Sequence, residues 1–388
     1  MKGLSKKERT PLIYDTRTKE AYDGIKHFTI TKREINEWSL TKSYTSEYIP
    51  IKQETNKSLE ETYNAFIEQA DILKKQSRGK INLYKAGTLQ KASLSLFFYT
   101  IHKLKITPDP LKELETKWLI NTNHGQMIYK EEITTGHSYD INSMYASIMR
   151  DVNFKIPIKQ GTFMKITKAE FDELKYYQYG IYRVQIDNDG SINTRKMFRF
   201  NHNNYYTTID LNMAKILGLK INLIEDVEYN FLSYGKGTTI TGSILFKPFV
   251  DMVYKMRQDH KNKDFKQILN LLWGSLCASN ISTFQYDITK DLDININIDT
   301  TRHTLINQFI KGDIIKIEYC KTDEYFKYNW IRFKPFLLAL GRKKITDIIR
   351  PYLDNITYLN TDGFNSNIEL TNINLGVDIG QLKYEGIV

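Results

Sequence analysis

Between Asn355 and Leu370 the chain reads NITYLNTDGFNSNIEL, an apolar run, an Asp-Gly turn signal and a second run. Asp-Gly between two strand-like segments is among the strongest short-range hairpin signals, because both residues accept the positive φ that a two-residue turn demands. A β-hairpin with Asp362 at its tip is therefore expected. Taken alone, the pair is an ordinary turn. A second carboxylate stands in HSYDINSMYASIM, residues 137–149, where an extended segment delivers Asp140 and a helix begins near Asn142 or Ser143. An acid at a strand end is well placed for a metal ion, and equally for capping the helix that follows.

The remaining composition narrows what such acids can serve. No apolar run approaches the ~20 residues of a membrane-spanning helix, and MKGLSKKERTPLIYD has no apolar signal core, so a soluble, non-secreted protein with no membrane partner is expected. Cys277 and Cys320 are the only cysteines and the 7 histidines are scattered, which leaves neither a disulfide framework nor a structural zinc site. A metal must then be held by carboxylates. Lys plus Arg exceed Asp plus Glu by 55 to 45, a net +10 that favours a polyanionic partner such as nucleic acid. The 13% aromatic share adds stacking surfaces for bases, although most aromatics belong to cores.

Along the chain, Tyr63, Phe66, Ile67, Ala70 and Leu73 recur at helical spacing, and Thr88 caps a second helix through Leu89, Ala92, Leu96 and Phe97. Residues 1–114 are expected to be mainly helical. GIYRVQI reads as a strand, RKMFRFNHNNYY as a strand with exposed charges, and Leu211–Leu217 as a helix. Helices return at Pro248–Met256 and from Phe265 through Ile268, Leu269, Leu272 and Leu276, joined by the polar DHKNKD. On the second of them, in KQILNLLWG, Lys266, Asn270 and Trp273 or Gly274 share a face, and Arg257 and Lys261 form an i, i+4 pair just before. Such a basic face is either simply solvated or able to hold a triphosphate. A last helix from Pro335 to about Tyr352 carries Leu337, Leu340, Ile345, Ile348 and Ile349 on one side and Arg342, Lys343 and Lys344 on the other. The whole is an α+β fold.

Order ties these signals together. DINSMYASIM resembles motif A of family B DNA polymerases (DxxSLYPS), KQILNLLWG resembles motif B (KxxxNSxYG), and YLNTDGF resembles motif C (YxDTDS). IMRDVNFKIPIKQG after motif A and GQLKYEG after motif C are most similar to the protein-primed branch of phages and linear plasmids, so the resemblance spans about residues 115–388. Ala146 replaces the motif A proline, Leu271 and Trp273 replace Ser and Tyr in motif B, and Asn360 and Gly363 replace the first Asp and the Ser of motif C. NHG at 123–125 is a partial match to the YxGG motif of these enzymes.

The resemblance implies a polymerase palm, an antiparallel sheet with helices, in two parts. The first is 115–245, with motif A and a terminal-protein-region-like insertion at about 165–245. The second is 286–388, with motif C and the thumb absent or truncated. Short two-helix fingers with motif B would occupy 246–285, and 1–114 would be a reduced or remnant exonuclease or N-terminal domain, since no Asp-x-Glu signature stands there. It implies Asp140 and Asp362 as catalytic acids that hold two Mg²⁺ ions, Mn²⁺ being the alternative, with the Ile141 carbonyl as a further ligand. Tyr145 would exclude a 2′-OH, while Arg257, Lys261 and Lys266 would take the triphosphate. Asn270 and Gly274 would lie near the nascent base pair, and Tyr358, Asn360, Thr361 and Gly363 would flank the motif C acid. The implied partners are a DNA primer-template, dNTPs, a terminal protein primer and a second polymerase chain supplying thumb or exonuclease. The implied place is the cytoplasm, that of a host cell for a viral or plasmid-borne gene, with a mitochondrial plasmid as the alternative origin. The rival readings are a non-catalytic nucleic-acid-binding remnant, one piece of a split polymerase, or a reverse transcriptase-like palm. The last usually needs two adjacent acids at the hairpin, where Thr361-Asp362-Gly363 supplies one.

Overall fold

The structure is a computed structural model that describes residues 7–15, 17–29, 47–54, 56–132, 135–287, 289, 301–322 and 324–388. It divides into two units, residues 1–106 with 248–275, and residues 107–247 with 276–388. Parts of the expected 1–114 and 286–388 segments, chiefly 30–46 and 290–300, lie outside the described residues.

In the first unit, strands Thr10–Asp15, Glu20–Tyr22, His27–Thr29 and Tyr48–Lys52 form a four-stranded sheet. Thr10–Asp15 pairs antiparallel with Glu20–Tyr22 and parallel with Tyr48–Lys52. The expected mainly helical start therefore holds only beyond Leu59. Strands of three to six residues are too short to register in the 11–18-residue window that reveals periodicity. Helix Leu59–Gln76 opens with a capping box, Glu61 N–H donating to Ser58 Oγ at 3.1 Å and Ser58 N–H to Glu61 Oε2 at 2.7 Å. Thr88 caps helix Leu89–Ile101 as its sequence predicts. Helices Lys247–His260 and Lys263–Leu276 complete this unit, and the latter buries Phe265, Ile268, Leu269, Leu272 and Leu276. Ser93 Oγ donates to the Ile268 carbonyl at 2.8 Å, tying helix Leu89–Ile101 to it.

The second unit is built on a five-stranded antiparallel sheet in the order Leu382–Ile387, His137–Ile141, Gly363–Ser366, Ile356–Asn360, Ile128–Lys130. Alternate residues Tyr139, Ile141, Leu359, Phe364 and Leu382 are buried, and Tyr139 stacks on Phe364 with ring centroids 5.1 Å apart. A second five-stranded sheet centres on Gly180–Ile186, the GIYRVQI strand, and has its own core of Phe171, Tyr182, Val184, Phe198, Tyr206, Leu211 and Phe231.

Three expectations are corrected here. RKMFRFNHNNYY is not one charged strand: it holds helix Ile192–Met197 and then strand Tyr205–Thr207. Lys196 is buried, 3.0 Å from Glu131 and 4.9 Å from the Tyr129 ring centre, so it serves packing. Helix Lys334–Ile349 is buried nearly all round, and Arg342 faces inward instead of joining Lys343 and Lys344 on an open face. The hairpin turn is centred on Thr361-Asp362, not Asp362-Gly363, with the positive φ of 62° on Thr361.

Candidate active site

Why glycine follows Asp362 is settled by the sheet. Gly363 pairs across strands with Asp140, and a Cβ there would meet the Tyr139 carbonyl at 3.2 Å and Asp140 Oδ1 at 3.5 Å. The tight neighbour is the Tyr139 backbone, while the Asp140 carboxylate lies at ordinary contact distance from the hairpin. The Ile141 N–H donates to the Asp362 carbonyl at 2.9 Å, which makes the two acid-bearing segments immediate neighbours. Asp140 alternates with the buried Tyr139 and Ile141, so its side chain takes the opposite, partly exposed face. On its other side it pairs with Lys383, whose ammonium donates to both Glu385 oxygens at 2.8 and 2.9 Å.

Strand passes to helix within three residues. Ser143, at φ 48° and ψ 51°, turns the chain into helix Met144–Met149 and so puts Tyr145 in its first turn. Burial raises the Tyr145 phenol pKa, the Asp362 charge raises it further, and Arg342 opposes both. Tyr145 therefore lies in the electrostatic field of the hairpin acid.

Sequence reasoning missed what supports Tyr145. Arg342 is 2% exposed and donates to Asp210 Oδ1 from Nη2 at 2.8 Å and from Nε at 3.3 Å, and to the Gly125 carbonyl at 2.6 Å. Asp210 also closes a capping box with Thr207 on helix Thr208–Ile216. Burial raises the Asp210 pKa, but Arg342, His124 and the hydrogen bonds outweigh it and the net direction is down. The NHG segment thus meets the Tyr145 neighbourhood through Gly125. The only sequence signal was an arginine between apolar residues in ALGRKKI. A second buried pair, Arg332 on Glu115 at 2.7 and 2.8 Å, ties residues 109–115 to the start of helix Lys334–Ile349.

Of the expected nucleotide residues, Arg257, Lys261, Lys266, Asn270 and Gly274 belong to the first unit and Tyr145 to the second. Lys266, Asn270 and Gly274 share the exposed face of helix Lys263–Leu276 opposite its buried stripe. Lys261, at φ 51°, makes the turn into that helix, its N–H bonded to the Arg257 carbonyl at 2.8 Å. The Arg257 guanidinium lies 5.9 Å from the Tyr254 ring centre.

The donor set around the two acids fits a hard divalent cation such as Mg²⁺. Asp140 sits near the end of its strand and Asp362 in the adjoining hairpin turn, where its carbonyl accepts from the Ile141 N–H. Among the described residues no group of three or more His, Cys, Asp or Glu could hold a metal. One or two carboxylates completed by substrate phosphates is the usual protein share at a Mg²⁺ site.

The sheet, its acid-bearing hairpin and the helix that follows the first acid belong to a mixed α+β fold. The chain belongs to the type B DNA polymerases, organellar and viral, whose family pattern matches residues 121–345, more than half of its length. A probable DNA polymerase of Neurospora intermedia is 22% identical to it, the match covering 66% of this chain and 28% of that protein. Phi29 DNA polymerase complexed with single-stranded DNA superposes with a TM-score of 0.57 at 17% identity, over 85% of this chain and 56% of that one. Phi29 DNA polymerase complexed with primer-template DNA and incoming nucleotide substrates gives 0.56 at 17% identity, over 85% and 57%. The chain thus spans a little over half of the phi29 enzyme and about a quarter of the Neurospora protein.

Proposed function

We propose that this chain carries out template-directed DNA synthesis by nucleotidyl transfer to a 3′ hydroxyl, or to a terminal-protein hydroxyl at initiation. The observation that carries the reading is the register of Asp140 opposite Gly363, with Ile141 bonded to Asp362, in a member of this family. Asp140 and Asp362 would hold Mg²⁺, with Mn²⁺ as substitute and the Ile141 carbonyl as a further donor. When bound there, the metal lowers the hydroxyl's pKa and neutralises charge on the attacked and leaving phosphate oxygens.

The chain's own residues position the substrates. Tyr145 lies beneath the incoming sugar and meets a 2′-OH by contact. Arg257, Lys261 and Lys266 take the triphosphate, where cations give charge-assisted hydrogen bonds without base information. Asn270 and Gly274 pack near the nascent base pair, and Tyr358, Asn360 and Thr361 shape the hairpin, Thr361 Oγ1 donating to Asn360 Oδ1 at 3.2 Å. Primer-template DNA and dNTPs are the substrates, as the phi29 complexes suggest. A terminal protein and a second polymerase chain are proposed as further partners.

The test is extension of a labelled primer on templates of different sequence, with and without Mg²⁺ or Mn²⁺. Products whose sequence follows the template and which require the metal are expected. Asn360 in place of the usual motif C acid favours a second reading, a non-catalytic template-binding protein. That reading predicts metal-independent template binding and no product.

A further inference from the structure

We propose that Gly341 is a positioning residue for sugar selection: its bare α-carbon is the seat against which the Tyr145 ring rests, and it sets how far that ring projects toward the nucleotide. The inference rests on Tyr145 facing the sugar, as in the function proposed above. Gly341 lies inside helix Lys334–Ile349, where glycine is a poor helix former with no gain in regularity to offer. A Cβ at this position would stand 3.0 Å from Tyr145 Cε1, 3.3 Å from its hydroxyl oxygen and 3.2 Å from Met144 Cε. Contacts this short force something to move by a few tenths of an ångström.

What moves is decided by the neighbouring residue. Arg342 is anchored to Asp210 at 2.8 Å and to the Gly125 carbonyl at 2.6 Å, and these buried bonds hold the helix where it is. Met144 ends in a flexible thioether that can turn aside. The ring of Tyr145 is left to yield, and its hydroxyl end is bounded by Gly341 while standing in the field of Asp362. A side chain at 341 therefore drives the ring away from the helix and into the nucleotide space.

The experiment measures binding of dATP and ATP to the protein held on a dideoxy-terminated primer-template, by calorimetry, for the wild type, Gly341→Ala, Tyr145→Ala and the double variant. Gly341→Ala is expected to raise the ATP-to-dATP ratio of dissociation constants about threefold or more, because a steric gate that projects further penalises the extra hydroxyl most. In the Tyr145→Ala background the same change is expected to leave the ratio alone. An unchanged or lowered ratio in Gly341→Ala, or an equal change without the tyrosine, overturns the proposal. Should Gly341→Ala melt early, recovery of the melting midpoint in the double variant supports the ring contact, and no recovery overturns it. A wild type that binds dATP yet adds no nucleotide to an extendable primer contradicts the proposed function while leaving the ratio readable. A wild type that binds neither nucleotide overturns both.

Discussion

Tyr145 illustrates how single residues here are set by their surroundings. Its ring lies against Gly341, and burial together with Asp362 raises its phenol pKa against the opposing Arg342, so it stays protonated. Tyr145→Ala should relax sugar selection by about 10- to 100-fold, the range expected for a steric contact in a closed pocket. Ribonucleotide and deoxyribonucleotide insertion at matched concentrations would show it, and an unchanged ratio would remove Tyr145 from the sugar site. Lys266→Ala should raise KM about ten- to a hundredfold for all four dNTPs alike, since a lost charge-assisted hydrogen bond of ~1.5–3 kcal/mol carries no base information. A base-dependent defect would contradict that role. His124 offers a test without nucleotide. Burial and the nearby Arg342 depress its pKa from 6.5 to about 4, with Asp210 and the Thr122 carbonyl opposing. The unfolded chain thus binds this proton between pH 6.5 and about 4 where the folded chain does not. Its contribution to stability is complete above pH 6.5 and is lost as the pH falls toward about 4. His124→Asn should flatten the melting temperature profile across that window, and an unaltered profile would refute the assignment.

Among the elements, the hairpin and its neighbour strand were legible because their signals are local: Asp-Gly at 362–363, and an acid at the end of a short extended run. The two helices around DHKNKD were equally plain, since each has a long apolar stripe. Two features depended on distant partners and left no periodic trace. Arg342 looked like a surface cation until helix Thr208–Ile216, more than a hundred residues earlier, supplied Asp210. Gly363 looked like a turn residue, yet it is a strand position paired with Asp140, where a Cβ would press on the Tyr139 carbonyl of the next strand at 3.2 Å. Asp210→Asn should destabilise the second unit by ~3–5 kcal/mol by leaving the Arg342 charge buried without its partner. Denaturant unfolding would measure this, and a change under 1 kcal/mol would mean the pair is dispensable. The first unit's sheet also went unseen. Asp15, at the end of its strand Thr10–Asp15, is gripped by Arg17 through Nε and Nη2 at 3.1 and 2.9 Å, which lowers its pKa and occupies both oxygens. No Mg²⁺-dependent shortening of a labelled single strand is expected from that acid. Degradation abolished by Asp15→Asn would contradict this.

At the scale of the molecule, three ordered motifs, none of them decisive alone, placed the chain in a family that the matched residues 121–345 then established. The acids belong to one unit and the basic helix pair to the other. The central claim is that Asp140 and Asp362, brought together by one register of one sheet, carry the chemistry. Single-nucleotide addition to a primer under Mg²⁺ should be compared for the wild type, Asp140→Asn and Asp362→Asn, with Asn360→Asp alongside. Each Asp→Asn change is expected to lower the rate by about three orders of magnitude or more, the equivalent of several kcal/mol of lost transition-state stabilisation, while Asn360→Asp keeps or raises it. Addition at the wild-type rate by either Asp→Asn variant would contradict the account.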